Sequence, residues 1–546
     1  MTDSVSTTTV RPPWRDLRWF LAAVIALTIG LLLFGLFGPE PPLRVSPETT
    51  VITAPLAADG LPDYQAHVLS LYGPRPNPVD NAAVLLLAAL WPMEIDSADR
   101  PLVCEAIGIP ASPPTDPPPL VEFRNDPLVK PLEEVFERLQ TRPWRGNDQP
   151  EIRAWLERNA AAIDLVVAAS ERTKYWLPSP TLLRSKPSGT LIEILVPDIQ
   201  SMRHASRTLC CRAMWHAGEG RLEAAWRDIL AVRRLCRLLA DRPGFLIKHL
   251  VAIAMASQAH AATVLLLGQP GLTVEFVQAM RQDMEHRQSP ETPRYGDMLE
   301  RLMCVDAAVS MARDRRGRWR LTQDLAAPLA AGILDVPWLQ TSLDWNVITS
   351  RINEYYAELE AVAALPTHRE RIDRMDKLQA ALEARARPSS GWQMAGRLVT
   401  AAVNRHERST HGADRLLMLL TPALSSYDAA VARAESQERL LRLAVALEAW
   451  RLKAAAAEGR GYPERLDELV PAILAELPRD PFTEKPFVYE RRGDGYLLYG
   501  LGQNGVDDGG TDLGGDIVQG EWRETPASVD WNKSDIVIRM PVPAEQ

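Results

Sequence analysis

The chain has 546 residues, 46% of them hydrophobic, with 61 Lys and Arg against 70 Asp and Glu for a net charge of −9. That length suits about two to four domains with real apolar cores, which excludes a disordered chain. The mildly acidic balance lacks the basic excess of a nucleic-acid-binding surface, so no nucleic acid is expected as a partner. Cys104, Cys210, Cys211, Cys236 and Cys304 form no CxxC pair, and their odd number fits neither a zinc site nor a disulfide framework. Adjacent Cys210 and Cys211 read as ordinary buried thiols rather than a redox pair.

Residues 19–38 (WFLAAVIALTIGLLLFGLFG) carry no charge and as a helix reach about 30 Å, the thickness of a bilayer core. Arg11, Arg15 and Arg18 precede the run against Asp3 and Asp16, whereas Glu40, Glu48, Asp59 and Asp63 follow it against Arg44 alone. The positive-inside tendency makes residues 1–18 a cytoplasmic tail, 19–38 a single transmembrane helix in the cell inner membrane, and the bulk periplasmic. A cleaved signal peptide would have a shorter apolar region ending in small residues; here Phe34, Leu36 and Phe37 run straight into Gly38, Pro39 and Glu40.

Residues 39–63, rich in Pro, Ser and Thr, read as an extended linker. An all-α region is expected over 64–424, mainly helical and either α-solenoid-like or an irregular bundle. Within it, residues 80–91 (DNAAVLLLAALW) form a short core helix stopped by Pro92, and 110–119 (PASPPTDPPP) a proline-rich loop. The clearest unit runs from Ser201 through His216 to Gly220 (HAGEG) into RLEAAWRDILAVRRLCRLLA. Gly218 and Gly220 allow a tight αα-hairpin turn there, and Leu222, Ala225, Ile229, Val232, Cys236 and Leu239 fall on one stripe. The pairing resembles tetratricopeptide-like helix pairs, without a repeat period. Residues 248–267 form an unusually apolar, central helix.

This middle contains no HExxH, GxSxG, Walker or dinucleotide-binding motif, and no catalytic residue is assigned. His204 with Cys211, and His249 with His260, could share helix faces, but such spacing is commonplace in cores. Arg313, Arg315, Arg316, Arg318 and Arg320 read as a solvated stretch, with contact to an anionic lipid headgroup or polysaccharide as the lesser alternative. Glu133, Glu134, Glu358 and Glu360 read as solvent-facing helix positions.

The C-terminal part differs. A long helix over residues 429–457 ends at Gly459 and Gly461, and Pro463 opens a second, short helix. PFVYERR and GYLLYGLG, joined through Gly493, Asp494 and Gly495, read as a β-hairpin. The segment from Gly502 to Val518 (GQNGVDDGGTDLGGDIV) is dense in glycine and side-chain oxygens.

The order and spacing of the long helix, Tyr462-Pro463, Leu466, Leu469, Asp480-Pro481-Phe482, Pro486, Tyr489 and the loop closing in Asp516-Ile517 carry a resemblance. Residues 425–520 resemble the C-terminal part of the major pseudopilin of type II secretion systems, and similar pseudopilin-like domains of bacterial envelope proteins; 521–546 is then a C-terminal tail. The resemblance implies an α+β module and a calcium ion. Local chemistry allows the ion independently, since calcium takes about six to eight oxygen ligands on a flexible loop. Asn504, Asp507, Asp508, Asp512 and Asp516 can supply side-chain oxygens, with the Leu501 carbonyl as the backbone ligand implied by the family. The other reading is a solvated Gly/Asp turn without an ion. A bound ion would staple hairpin and loop together rather than catalyse.

The chain departs from the pseudopilin pattern in two ways. Residues 39–424 separate the apolar helix from the long helix, and 19–38 contains no glutamate, so pilus-like assembly is not expected. Two functional readings stand: a membrane-tethered scaffold that contacts envelope or secretion-system proteins, or an envelope-polymer hydrolase with a site assembled in the helical middle. A deep pocket with converging acids or histidines distinguishes the second.

Overall fold

The computed structural model describes residues 13–111, 116–184, 189–194, 198–240, 244–285, 299–315, 318, 341–386, 400, 403–421, 424–458, 461–511 and 535–541. It is mainly α-helical with a small antiparallel sheet. The chain divides into two compact units: one from Met1–Asp63, Arg301–Ala357 and Gln379–Pro422, the other from Tyr64–Glu300, Glu358–Leu378 and Ala423–Gln546.

The first unit begins with the apolar helix Pro13–Phe37. Among the described residues two helices are long and apolar enough to cross a membrane. Trp19–Phe37 has mean hydropathy 2.7 and is 0% buried, whereas Leu246–Leu267 in the second unit is 61% buried, as a core helix is. Phe20, Ile25, Leu27 and Phe34 stand exposed along the first.

Residues 39–63, expected as an extended linker, are bonded at several points to groups far along the chain. The Arg44 amide donates to Asn346 Oδ1 at 2.8 Å, and Asn346 Nδ2 donates to the Pro42 carbonyl at 3.1 Å. Asn353 Nδ2 bonds the carbonyls of Glu48 (2.8 Å) and Thr49 (3.1 Å) at the short helix Pro47–Thr50. Glu40 accepts from Arg318, from Trp345 Nε1 at 3.0 Å and from the Leu343 amide at 3.0 Å. Local bonds satisfy some of its carbonyls, Ser46, Pro55, Ala57 and Leu61 among them, while those of Pro42, Glu48, Thr49 and Pro62 take side chains from residue 313 onward, which no local pattern announces.

The expected basic stretch is correspondingly divided. Arg318 is 1% exposed, bonded to Glu40 and stacked 4.7 Å over the Trp345 ring. Arg313 pairs with Asp59 at 2.7 Å, and Arg315 donates to the Gly38 carbonyl at 3.3 Å. Arg316 and Arg320 lie outside the described residues.

In the second unit, Asn81 caps helix Ala82–Ala89 by accepting from the Ala83 amide, and that helix packs on Ala160–Ser170. The expected αα-hairpin is present as Asp198–Gly218 and Leu222–Ala240. All six positions of the expected stripe are buried. Gly220 turns the chain at φ +73°, and a Cβ on Gly218 would lie 2.1 Å from the Trp144 carbonyl oxygen. Glycine at 218 therefore lets the Trp144 backbone cross the hairpin, where its amide bonds Met214 O at 3.2 Å. The apolar helix Leu246–Leu267 packs on both hairpin helices, and the long helix Leu424–Glu458 packs on it and on Val274–Glu285. All five cysteines are buried thiols outside any disulfide. Burial pushes the thiols of Cys210 and Cys236 up to about 12, which leaves them unreactive.

Two histidines in this core predict a pH response. Burial holds His216 and His260 down at about 4; Arg221 and Arg212 add to it at His216, while at His260 Glu438 opposes and Arg233 adds. Unfolded imidazoles titrate near about pH 6.5, so from there down to about pH 4 the unfolded chain binds protons that the folded unit does not. The stabilisation from keeping both neutral is present above that window and is lost as pH falls through it. The urea midpoint followed by circular dichroism is expected to fall between neutral pH and about pH 4.5, and to fall less in His260→Leu; a flat profile would refute this.

The sheet consists of β1 (Val488–Arg492), β2 (Gly495–Gly500) and β3 (Ile536–Met540), ordered β1-β2-β3 and antiparallel throughout. Val488 faces Tyr499 and Arg492 faces Gly495 across the expected hairpin, with Gly493 at φ +58° in the turn. β3 comes from the segment expected to be a tail. Its alternation of Ile536, Ile538 and Met540 into the core supplies the physical reason, since a half-buried edge needs period two. The long helix packs against β2 and β3.

Candidate functional site

The loop after β2 is positioned by a buried carboxylate. Asp480, 1% exposed, accepts from the amides of Phe482 (3.1 Å) and Leu501 (3.1 Å) and from Thr483 Oγ1 (3.2 Å). Its carboxyl is raised by burial, which those donors and Arg439 oppose. The Asp480-Pro481-Phe482 turn is thereby locked to the start of the loop, while Tyr489 OH ties β1 to the Pro463 carbonyl at 2.7 Å. Asp480→Ala would strand the buried Phe482 amide and the half-buried Leu501 amide and is expected to cost about 1–3 kcal/mol. A urea denaturation series measures it, and a change within error would show that the turn holds without the carboxylate.

Four of the expected calcium ligands can be placed. Leu501 begins the loop, and Asn504, Asp507 and Asp508 follow within it. Asn504 Nδ2 donates to Asp508 Oδ2 at 2.9 Å, and Asn504 Oδ1 accepts from the Val506 amide at 3.0 Å. Asp507 Oδ1 accepts from Tyr499 OH and from the Gly509 amide, both at 2.9 Å. Asp512 and Asp516 lie outside the described residues. Sequence reading missed Asp535, which β3 brings to the same loop. It accepts from the amides of Gly510 (2.8 Å) and Thr511 (3.2 Å), and its carboxyl is raised by burial and by the charges of Asp508 and Asp507. The available signal was the alternating run that follows it.

The donor set is all oxygen, as a hard cation requires. Among the described residues, however, no group of three or more His, Cys, Asp or Glu is arranged to hold a metal. The described carboxylates shape the loop through the bonds given above.

Three further polar clusters lie in the second unit. A cleft of about 340 Å³ including open solvent is lined by Glu122, Phe123, Glu133, Phe136, His204 and Arg207. In it His204 Nδ1 lies 3.3 Å from Glu122, whose carboxyl is held below its ordinary value chiefly by that bond. His204 therefore pairs with Glu122 and not with Cys211.

Elsewhere Tyr175 OH and Lys248 Nζ each donate to Asp198 Oδ2 at 2.8 Å, all three buried. Burial opposes the Lys248 charge, but Asp198 more than offsets it. Finally, His368 Nδ1 meets Asp428 Oδ2 at 2.6 Å, and Arg371 Nε holds the other oxygen at 2.9 Å. The His368 ring stands edge-on to Phe482 at 4.8 Å. This is an imidazole oriented by a carboxylate, yet its buried Nε2 bonds no nucleophile, so the arrangement stops short of a catalytic triad.

No family model, no curated protein and no solved structure matches the chain.

Proposed function

We propose that the protein is a single-pass scaffold of the cell inner membrane. Residues 1–18 are cytoplasmic, 19–38 cross the bilayer, and the periplasmic bulk contacts envelope or secretion-system proteins. The observation that supports this reading is the bare apolar helix Trp19–Phe37. A row of exposed Phe, Ile and Leu of bilayer length needs a non-aqueous partner, and the charges flanking it set the orientation. Alkaline carbonate extraction of membranes is expected to leave the full-length protein in the pellet; release into the supernatant would remove the anchor.

The C-terminal segment is, on this reading, a pseudopilin-like module stapled by calcium through Leu501, Asn504, Asp507, Asp508, Asp512 and Asp516. Calorimetric titration of the full chain is expected to give saturable calcium binding that raises the melting temperature. Both effects should vanish when Asp512 and Asp516 are changed to Ala. Absence of binding at millimolar calcium would sink the staple and leave the scaffold reading standing.

The alternative, an envelope-polymer hydrolase, draws on the Glu122 and His204 cleft.

A further inference from the structure

The anchor ends inside its own folded unit. The last carbonyls of an α-helix have no partners within the helix and carry the negative end of its dipole. Here Gly38 N takes the Phe34 carbonyl at 2.8 Å, Arg408 Nη2 takes Gly35 at 2.8 Å, and the Ser342 amide takes Leu36. Just beyond, Arg315 holds the Gly38 carbonyl, and Arg318, Leu343 and Trp345 clamp Glu40. Arg408 is itself fixed, donating twice to the Ser342 carbonyl at 2.7 and 3.2 Å.

The depth of these contacts follows from helix geometry. Trp19–Phe37 is 19 residues, about 28 Å at 1.5 Å per residue, against a hydrocarbon core of about 30 Å. The helix has no length to spare, so Phe37 lies at the bilayer boundary. Arg408 and Ser342 bond residues 35 and 36, less than one turn inside that end. A body attached there cannot stand off from the membrane. Arg408 is itself 4% exposed and spent on these carbonyls, but Arg315 at the Gly38 carbonyl and Arg405 one turn before Arg408 are part-exposed, and guanidinium forks suit lipid phosphates.

We propose that the folded part of the first unit, residues 39–63 with Arg301–Ala357 and Gln379–Pro422, is seated on the bilayer, with its part-exposed Arg315 and Arg405 at the phosphate layer of the leaflet from which the anchor emerges. This rests on the reading of residues 19–38 as a span. It replaces a body swinging on a spacer by one that keeps a single face to the lipid, so partners of that unit must be met at the membrane surface.

The full-length protein in vesicles of phosphatidylethanolamine and phosphatidylglycerol tests it. The five native cysteines are buried, so single fluorescent labels can be placed at Leu27→Cys and Val403→Cys. Val403 is 65% exposed and directly precedes Asn404, the cap of helix Arg405–Leu420, whose first turn carries Arg408. The Leu27 label is expected to be quenched by nitroxides on the acyl chains, and the Val403 label by nitroxides on the headgroups. A deep Leu27 label with a Val403 label quenched only from water would overturn the seat while the span survives. An unquenched Leu27 label would overturn the span, and the seat with it.

Discussion

Glu40→Ala is expected to destabilise the first unit by about 3–5 kcal/mol, the usual cost of leaving one member of a buried ion pair uncompensated. Arg318 is 1% exposed and pairs with Glu40, which also accepts from Trp345 Nε1 and the Leu343 amide. The Glu40 carboxyl is held below its ordinary value: burial pushes it up, and the bonds from Arg318 and Leu343 more than offset that. Substitution strands a guanidinium, an indole N–H and an amide together. Glu40→Gln keeps an acceptor for the neutral donors and should lose less. Chemical denaturation in detergent micelles, followed by Trp fluorescence, gives the comparison. A loss below about 1 kcal/mol, the range of an exposed surface pair, would mean that water reaches Arg318.

Asp228→Ala is the second large effect, expected at about 3–5 kcal/mol in the other unit. Asp228 and Arg212 face one another across the αα-hairpin, with Arg212 Nε and Nη2 each donating at 2.8 Å. Their side chains are 0% and 6% exposed, while the third member, Asp164, is 57% exposed and cannot replace Asp228. Burial raises the Asp228 carboxyl, and Arg212 works against that, so the carboxylate survives only through its partner. Removing both charges together is different in kind, because the desolvation cost of each leaves with it. Arg212→Met combined with Asp228→Leu should therefore cost less than Asp228→Ala alone. Urea midpoints of the unsubstituted, Asp228→Ala and doubly substituted proteins decide it, and a double substitution that costs as much as Asp228→Ala or more would show that the buried charge is not what the single substitution exposes.

Much of the helical architecture was legible because its signals are local. Asn81 before an apolar run with Pro92 behind it, glycines at 218 and 220, and the stripe from Leu222 to Leu239 all act within a turn or two. The hairpin Val488–Gly500 is likewise written in adjacent residues. The candidate site was only partly legible: Asn504, Asp507 and Asp508 are neighbours in sequence, but Asp535 reaches them only through the pairing of β3 with β2. The Glu122 with His204 and His368 with Asp428 pairs were invisible for the same reason, since nothing local relates their members.

What the sequence by itself determined, then, is composition-driven or periodic: an apolar run of bilayer length, a mainly helical middle, a glycine-turned αα-hairpin and a C-terminal β-hairpin. Tertiary structure alone decided which charges are buried. Arg318 sits in a basic stretch that reads as solvated, yet it is enclosed by Glu40 and Trp345 from 278 residues before and 27 after it. It also decided that residues 39–63 fold with the first unit, because their few local hydrogen bonds leave carbonyls such as those of Pro42, Glu48 and Thr49 to be met by donors the fold delivers. Periodicity reports which face of an element is apolar; the partner of a polar group is set by chain closure over hundreds of residues, and no short window contains it.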